Sequence, residues 1–85
     1  MPSPIDPAQC RAARGLLDWT QERLAERAGV SRSTVRDFES GRHGLTAASA
    51  AQIVATLEGA GVVLIGSDEL GSGVRRRDPE RVRRD

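Results

Sequence analysis

An 85-residue chain with a formal charge of +1 and two aromatics, Trp19 and Phe38, is one small domain whose modest core must come from Ala, Leu, Val and Ile. No run approaches a membrane span and no basic-then-apolar leader opens the chain, while the single cysteine, Cys10, excludes an internal disulfide and fits a reducing cytoplasm. A globally basic surface is excluded too: residues 1–73 carry seven Arg against nine acids, and residues 74–85 carry six against three. Affinity for a polyanion must therefore come from a local patch, helix N-termini or the C-terminal arginines.

Residues 1–5 contain two prolines and are expected to form a loose lead-in. Asp6-Pro7-Ala8-Gln9 then places a cap, a first-turn proline and a glutamine at the spacing that starts a helix. This first helix should run from Pro7 to about Leu17, with Cys10, Ala13 and Leu17 inward and Arg11 and Arg14 pointing elsewhere. Thr20 caps a second helix, Gln21–Ala28, and Trp19 with Leu24 forms its hydrophobic staple. Leu24, Ala25 and Ala28 share one face; Glu22, Arg23, Glu26 and Arg27 share the other. Gly29 supplies the positive φ of a sharp turn.

Ser31 caps a third helix, Ser31–Ser40, stapled by Val30 and Val35, buried through Val35 and Phe38, and ended by Gly41. A loop follows, and Thr46 caps a fourth helix, Ala47–Gly59, with Ala50, Ile53, Val54 and Leu57 on one face. After Gly61 the pattern changes. Val62-Val63-Leu64-Ile65 is a β-branched apolar run bounded by glycines, and Val74–Arg77 can return beside it as a second strand. Such a hairpin needs cover, either from the four helices or from the same strand of a second subunit. We expect the second, with Val62, Val63, Leu64 and Ile65 as the dimer contact. Residues 78–85 are charged and expected to be disordered. The division is thus a lead-in at 1–5, a helical domain at 6–60, a hairpin at 61–77 and an Arg-rich tail at 78–85.

The stretch Gln21–Ser40, QERLAERAGVSRSTVRDFES, carries more than secondary structure. Two helices that cross steeply over a short turn need close approach, which the small Ala25 permits. Leu24, Ala28, Val30, Val35 and Phe38, with Gly29 in the turn, fit that geometry. The stretch resembles the helix-turn-helix of the Cro/lambda-repressor-like (XRE) family of transcriptional regulators, and the similarity extends over roughly residues 8 to 58. A plain structural hairpin of helices would explain neither the glycine nor the small alanine at these spacings.

The resemblance implies a mainly α fold of four to five helices, here with a short C-terminal β-hairpin, and a third helix that lies in the major groove of double-stranded DNA. With Val35 and Phe38 inward, that helix turns Arg32, Ser33, Arg36 and Asp37 outward. Arg32 and Arg36 are then the candidates for reading bases, with Ser33 beside them. Asp37 is unusual for a phosphate binder and is expected to hold Arg36, accept from a cytosine or clear the DNA. Gln21, by resemblance, donates to a phosphate and braces the start of the reading helix. Thr20, Ser31, Thr34, Arg42 and His43 are further phosphate candidates. The resemblance also implies that Arg11 pairs with Glu39, although both residues alone are compatible with solvated surface charge.

Signals of other chemistry are weak. One histidine and one cysteine cannot make a zinc site of ordinary ligand count within a chain, so no metal and no cofactor is expected. GSDELGSG lacks the Lys-Ser that follows a phosphate-binding loop, and no Ser, His and Asp spacing suggests a nucleophile. We therefore expect a non-enzymatic, cytoplasmic, nucleoid-associated homodimer that represses transcription, with contacts to RNA polymerase or a toxin as further partners. An antitoxin on the same fold, or a protein-interaction module that has lost DNA binding, are the alternatives.

Overall fold

In the computed structural model, residues 3–66 and 68–77 are described, and the first helix opens on a reciprocal cap. The Asp6 carboxylate accepts from the Gln9 backbone N–H at 2.7 Å, while the Gln9 side chain accepts from the Asp6 N–H at 3.0 Å. Helix α1 so started spans Pro7–Leu17 and ends on Asp18 in the left-handed region, φ 60°. Thr20 caps α2 (Gln21–Ala28), Ser31 caps α3 (Arg32–Glu39) and Thr46 caps α4 (Ala47–Gly59), each hydroxyl accepting from an N–H three residues on. All four helices begin and end within a residue of the bounds expected.

Gly29 turns the chain between α2 and α3 at φ 74°, and a Cβ placed there would meet nothing nearer than the Gln52 amide at 3.8 Å. Backbone conformation, not crowding, therefore asks for glycine. Across that turn α2 packs on α3, α4 closes over α2, and Ala25 is buried. Leu24, Val35, Ile53, Leu57 and Cys10 are fully buried between them. The lead-in is not loose throughout: Ile5 is 1% exposed and belongs to the core.

The hairpin pairs β1 (Val62–Ile65) with β2 (Gly73–Arg76) in antiparallel register, Val62 opposite Arg76 and Ile65 opposite Gly73. Arg77 continues the ladder by donating its N–H to the Gly61 carbonyl at 2.7 Å. That bond makes Gly61–Arg77, Val63–Arg75 and Ile65–Gly73 the hydrogen-bonded pairs. Side chains then sort by face: Val62, Leu64 and Val74 turn to the core, whereas Val63, Ile65 and Arg75 turn away from it.

The hairpin finds its cover on its own chain. Gln9 Nε2 donates to the carbonyls of Ile65 at 2.8 Å and Gly73 at 3.1 Å, bridging both strands. Ser72 Oγ donates to the other Asp6 oxygen at 2.6 Å, Arg76 reaches the Leu16 carbonyl at 2.9 Å and Arg77 the Glu58 carbonyl at 3.1 Å. This corrects the expectation that all of Val62–Ile65 faces a partner. Val62 is fully buried by its own helices and Leu64 packs beside it, leaving only Val63 and Ile65 on the outer face. The Arg-rich tail expected at 78–85 lies outside the described residues. No helix among those described is long and apolar enough to cross a membrane.

Candidate nucleic-acid interface

Helix α3 is too short to hold its position alone, and a buried polar node at its C-terminal end anchors it. Glu39 falls on the same inward stripe as Val35 and Phe38 and is 4% exposed. Arg14 of α1 meets its carboxylate with a two-pronged contact, Nε to Oε2 at 2.8 Å and Nη2 to Oε1 at 2.7 Å. Gln21, first residue of α2, donates to Oε1 at 3.0 Å. Arg11 donates to the Glu39 backbone carbonyl instead. The ion pair therefore belongs to Arg14, not to Arg11 as the resemblance implied, and Gln21 braces the end of α3 rather than its start.

Burial by itself would raise the Glu39 carboxyl. The hydrogen bonds from Arg14, then Gln21, then Cys10 outweigh it and hold the group below its ordinary value. The Arg14 hydrogen bond to Glu39 in turn raises the guanidinium further. Cys10 sits against this charge. Its thiol is pushed far up by burial first, then by its hydrogen bond to Glu39 and by that residue's negative charge.

With its inner side anchored, α3 presents Arg32, Ser33 and Arg36 to solvent. Arg36 Nε lies 3.3 Å from Asp37 Oδ1, the two side chains 54% and 23% exposed. At the start of the helix Ser31 Oγ accepts from the Thr34 N–H at 3.1 Å and contacts the hydroxyls of Ser33 and Thr34 at 3.1 and 2.8 Å. At the other end, Arg42 and His43 are exposed, but both spend their backbone N–H groups on the Asp37 carbonyl, at 2.8 and 3.2 Å. Only their side chains remain for a ligand. A cleft of about 250 Å³ opens there, walled by Ser33, Thr34, Asp37, His43, Thr46 and Ser49.

Gln21 is half-buried against Glu39 on the inner side of α3, and Thr20, which caps α2 beside it, is exposed. The Thr20 oxygen accepts from the Arg23 N–H at 3.0 Å, which leaves its own O–H to donate outward. Gln21 likewise keeps one amide hydrogen after serving Glu39. Ser31 and Thr34 thus stand at the start of α3, Arg42 and His43 follow its end, and Thr20 and Gln21 open α2. The hairpin packs on α1 and α4 instead.

The part Arg14 plays escaped the sequence reading, yet a signal was present. Cys10, Ala13, Arg14 and Leu17 stand at i, i+3, i+4 and i+7, so Arg14 shares the inward stripe of α1. Glu39 shares that of α3. Two opposite charges, each on the buried side of its helix, form a pair that periodicity alone can suggest.

Two short helices joined by a left-handed glycine, the second clamped at its end and turning two arginines to solvent, define a helix-turn-helix DNA-binding module. A family model described as helix-turn-helix matches residues 11–59, more than half of the chain. The chain belongs to this family, the Cro/lambda-repressor-like (XRE) helix-turn-helix group, and is a DNA-binding regulator of transcription. No curated protein matches it significantly.

Proposed function

We propose that the protein is a site-specific repressor that inserts α3 in the major groove and acts as a homodimer on a pseudo-palindromic site. The observation that carries this reading is the arrangement of α3: inner side locked through Glu39, outer side free with Arg32 and Arg36 exposed. Arg32 and Arg36 read bases with Ser33, while Thr20, Gln21, Ser31, Thr34, Arg42 and His43 hold phosphates. Like charges four residues apart weaken a free helix, a cost that a polyanion offsets. Dimerisation uses the outer hairpin face, Val63 and Ile65, and sets half-sites roughly 34–36 Å apart. With no ligand domain within these residues, occupancy of promoter DNA is the simplest mode of control.

Fluorescence anisotropy tests this directly, with DNA from upstream of the protein's own gene against scrambled DNA across a salt series. Tight binding to the native fragment alone, with a steep salt slope, is expected. Arg32→Ala and Arg36→Ala should each lose about 1–3 kcal/mol on the native fragment and little on scrambled DNA. Gln21→Ala should weaken both DNAs alike. Equal losses on both DNAs from Arg36→Ala would remove that residue from base reading.

A further inference from the structure

Asp37 is a negative charge on the surface that meets a polyanion, and neither the core nor phosphate binding has a use for it. We propose that Asp37 is a positioning residue that aims Arg36 at guanine and so sets the specificity of the interface. The proposal rests on the base-reading role given to Arg36 above.

Consecutive side chains on a helix diverge by about 100°, so neighbours do not ordinarily meet. Here they do: Arg36 Nε lies 3.3 Å from Asp37 Oδ1. The stem of Arg36 therefore bends around the helix instead of extending freely. A guanidinium is planar, and a contact at Nε orients the whole plane while leaving the N–H groups of its two terminal nitrogens unspent. That terminal edge is the one that matches the N7 and O6 acceptors of guanine in the major groove.

The backbone that carries this carboxylate is held. The Asp37 carbonyl accepts from Ser40 Oγ at 3.1 Å, Arg42 N at 2.8 Å and His43 N at 3.2 Å, which fixes the residue at the junction of α3 and its following loop. Its side chain is less than half as exposed as that of Arg36, sheltered in the cleft beside Ser33, Thr34 and His43. Among the described residues Arg36 is its one ion-pair partner.

The charge also acts at long range. A carboxylate here repels the phosphates of every sequence equally, but it orients a donor edge that rewards only guanine. The repulsion lowers affinity for all DNA alike, and the orientation of the donor edge widens the gap between specific and non-specific binding.

Selection from a randomised duplex pool tests this, with wild-type protein, Arg36→Ala, Asp37→Asn and Asp37→Glu, each checked for native circular dichroism. We expect a guanine position in the wild-type site that Arg36→Ala abolishes. Asp37→Asn should relax that preference by about tenfold, inside the range one bidentate pair provides. Its affinity for random duplex should stay level or rise, by at most about tenfold, the worth of one phosphate charge near 0.1 M salt. Asp37→Glu, which keeps the charge, should recover part of the preference. If Arg36→Ala abolishes the guanine preference and Asp37→Asn leaves it intact, Asp37 has no aiming role and Arg36 still reads. If Arg36→Ala changes no base preference, both proposals fall together. Loss of a cytosine preference instead, with guanine kept, would put the carboxylate on a base and overturn positioning.

Discussion

A carboxylate buried at the end of a helix destabilises a fold unless its charge is matched, and Glu39 meets Arg14, Gln21 and the Cys10 thiol at once. Removing it strands the Arg14 guanidinium, so Glu39→Ala should cost about 3 kcal/mol in urea denaturation. Because its folded carboxyl titrates below the ordinary value of 4.5, its contribution is complete above that pH. The contribution is lost as pH falls through the lower folded value. Asp6, lowered chiefly by the Ser72 hydrogen bond, behaves in the same sense. Thermal unfolding followed from pH 6 to pH 2.5 should therefore show a steep acid loss that Glu39→Gln flattens. The Cys10 thiol, raised by burial and by Glu39, should resist alkylation at neutral pH until the protein unfolds. At this scale the outward residues Arg32, Ser33 and Arg36 were legible, since two buried positions on a short helix fix the rest. Arg14 was not read from the sequence, because a charged residue on an apolar stripe turns inward only when a partner waits on another helix.

Helices announce themselves by their ends. The caps at Asp6, Thr20, Ser31 and Thr46 all operate, and each helix begins where its cap predicts. Gly29→Ala should lower stability by about 1–2 kcal/mol in thermal denaturation, from backbone strain alone, since the space for a methyl exists. Asp18 is the reverse case, a non-glycine residue at φ 60° whose replacement by glycine should stabilise by up to about 1 kcal/mol. The hairpin was legible as two strands but not as a docked element. A run such as Val62–Ile65 shows that a face must be covered, and says nothing of what covers it. Here a glutamine amide and the alternation of two valines decide the matter, and both depend on where α1 lies.

As a whole, the molecule joins its two described ends. Ile5 and Val62 are buried in one core, and Asp6 and Gln9 bind the hairpin. A truncation after Gly61 should therefore loosen the core, with lost near-ultraviolet circular dichroism, rather than yield a clean monomer. The sharper probe of dimerisation is Val63→Asp with Ile65→Asp, both on the outer face. Sedimentation of the proposed homodimer should shift to the monomer while the far-ultraviolet spectrum stays native; a species unchanged by both substitutions would overturn a dimer made through this face. Overall architecture was within reach of the sequence because caps and apolar faces mark where each element starts and which side it buries. The closure between first helix and last strand was not, being a set of long-range contacts made by the polar side chains of Gln9, Asp6 with Ser72, and Arg76.

The Gln9 clamp also imposes an order on biosynthesis. Its amide waits for carbonyls 56 and 64 residues further along, a delay of about 3–13 s at translation rates of roughly 5–20 residues per second. Throughout that interval Ile5 lacks the strand that completes its burial, and the helix-turn-helix leaves the ribosome before the sheet that steadies α1 exists. A nascent chain arrested short of Val62 thus exposes apolar surface that the hairpin covers in the complete fold.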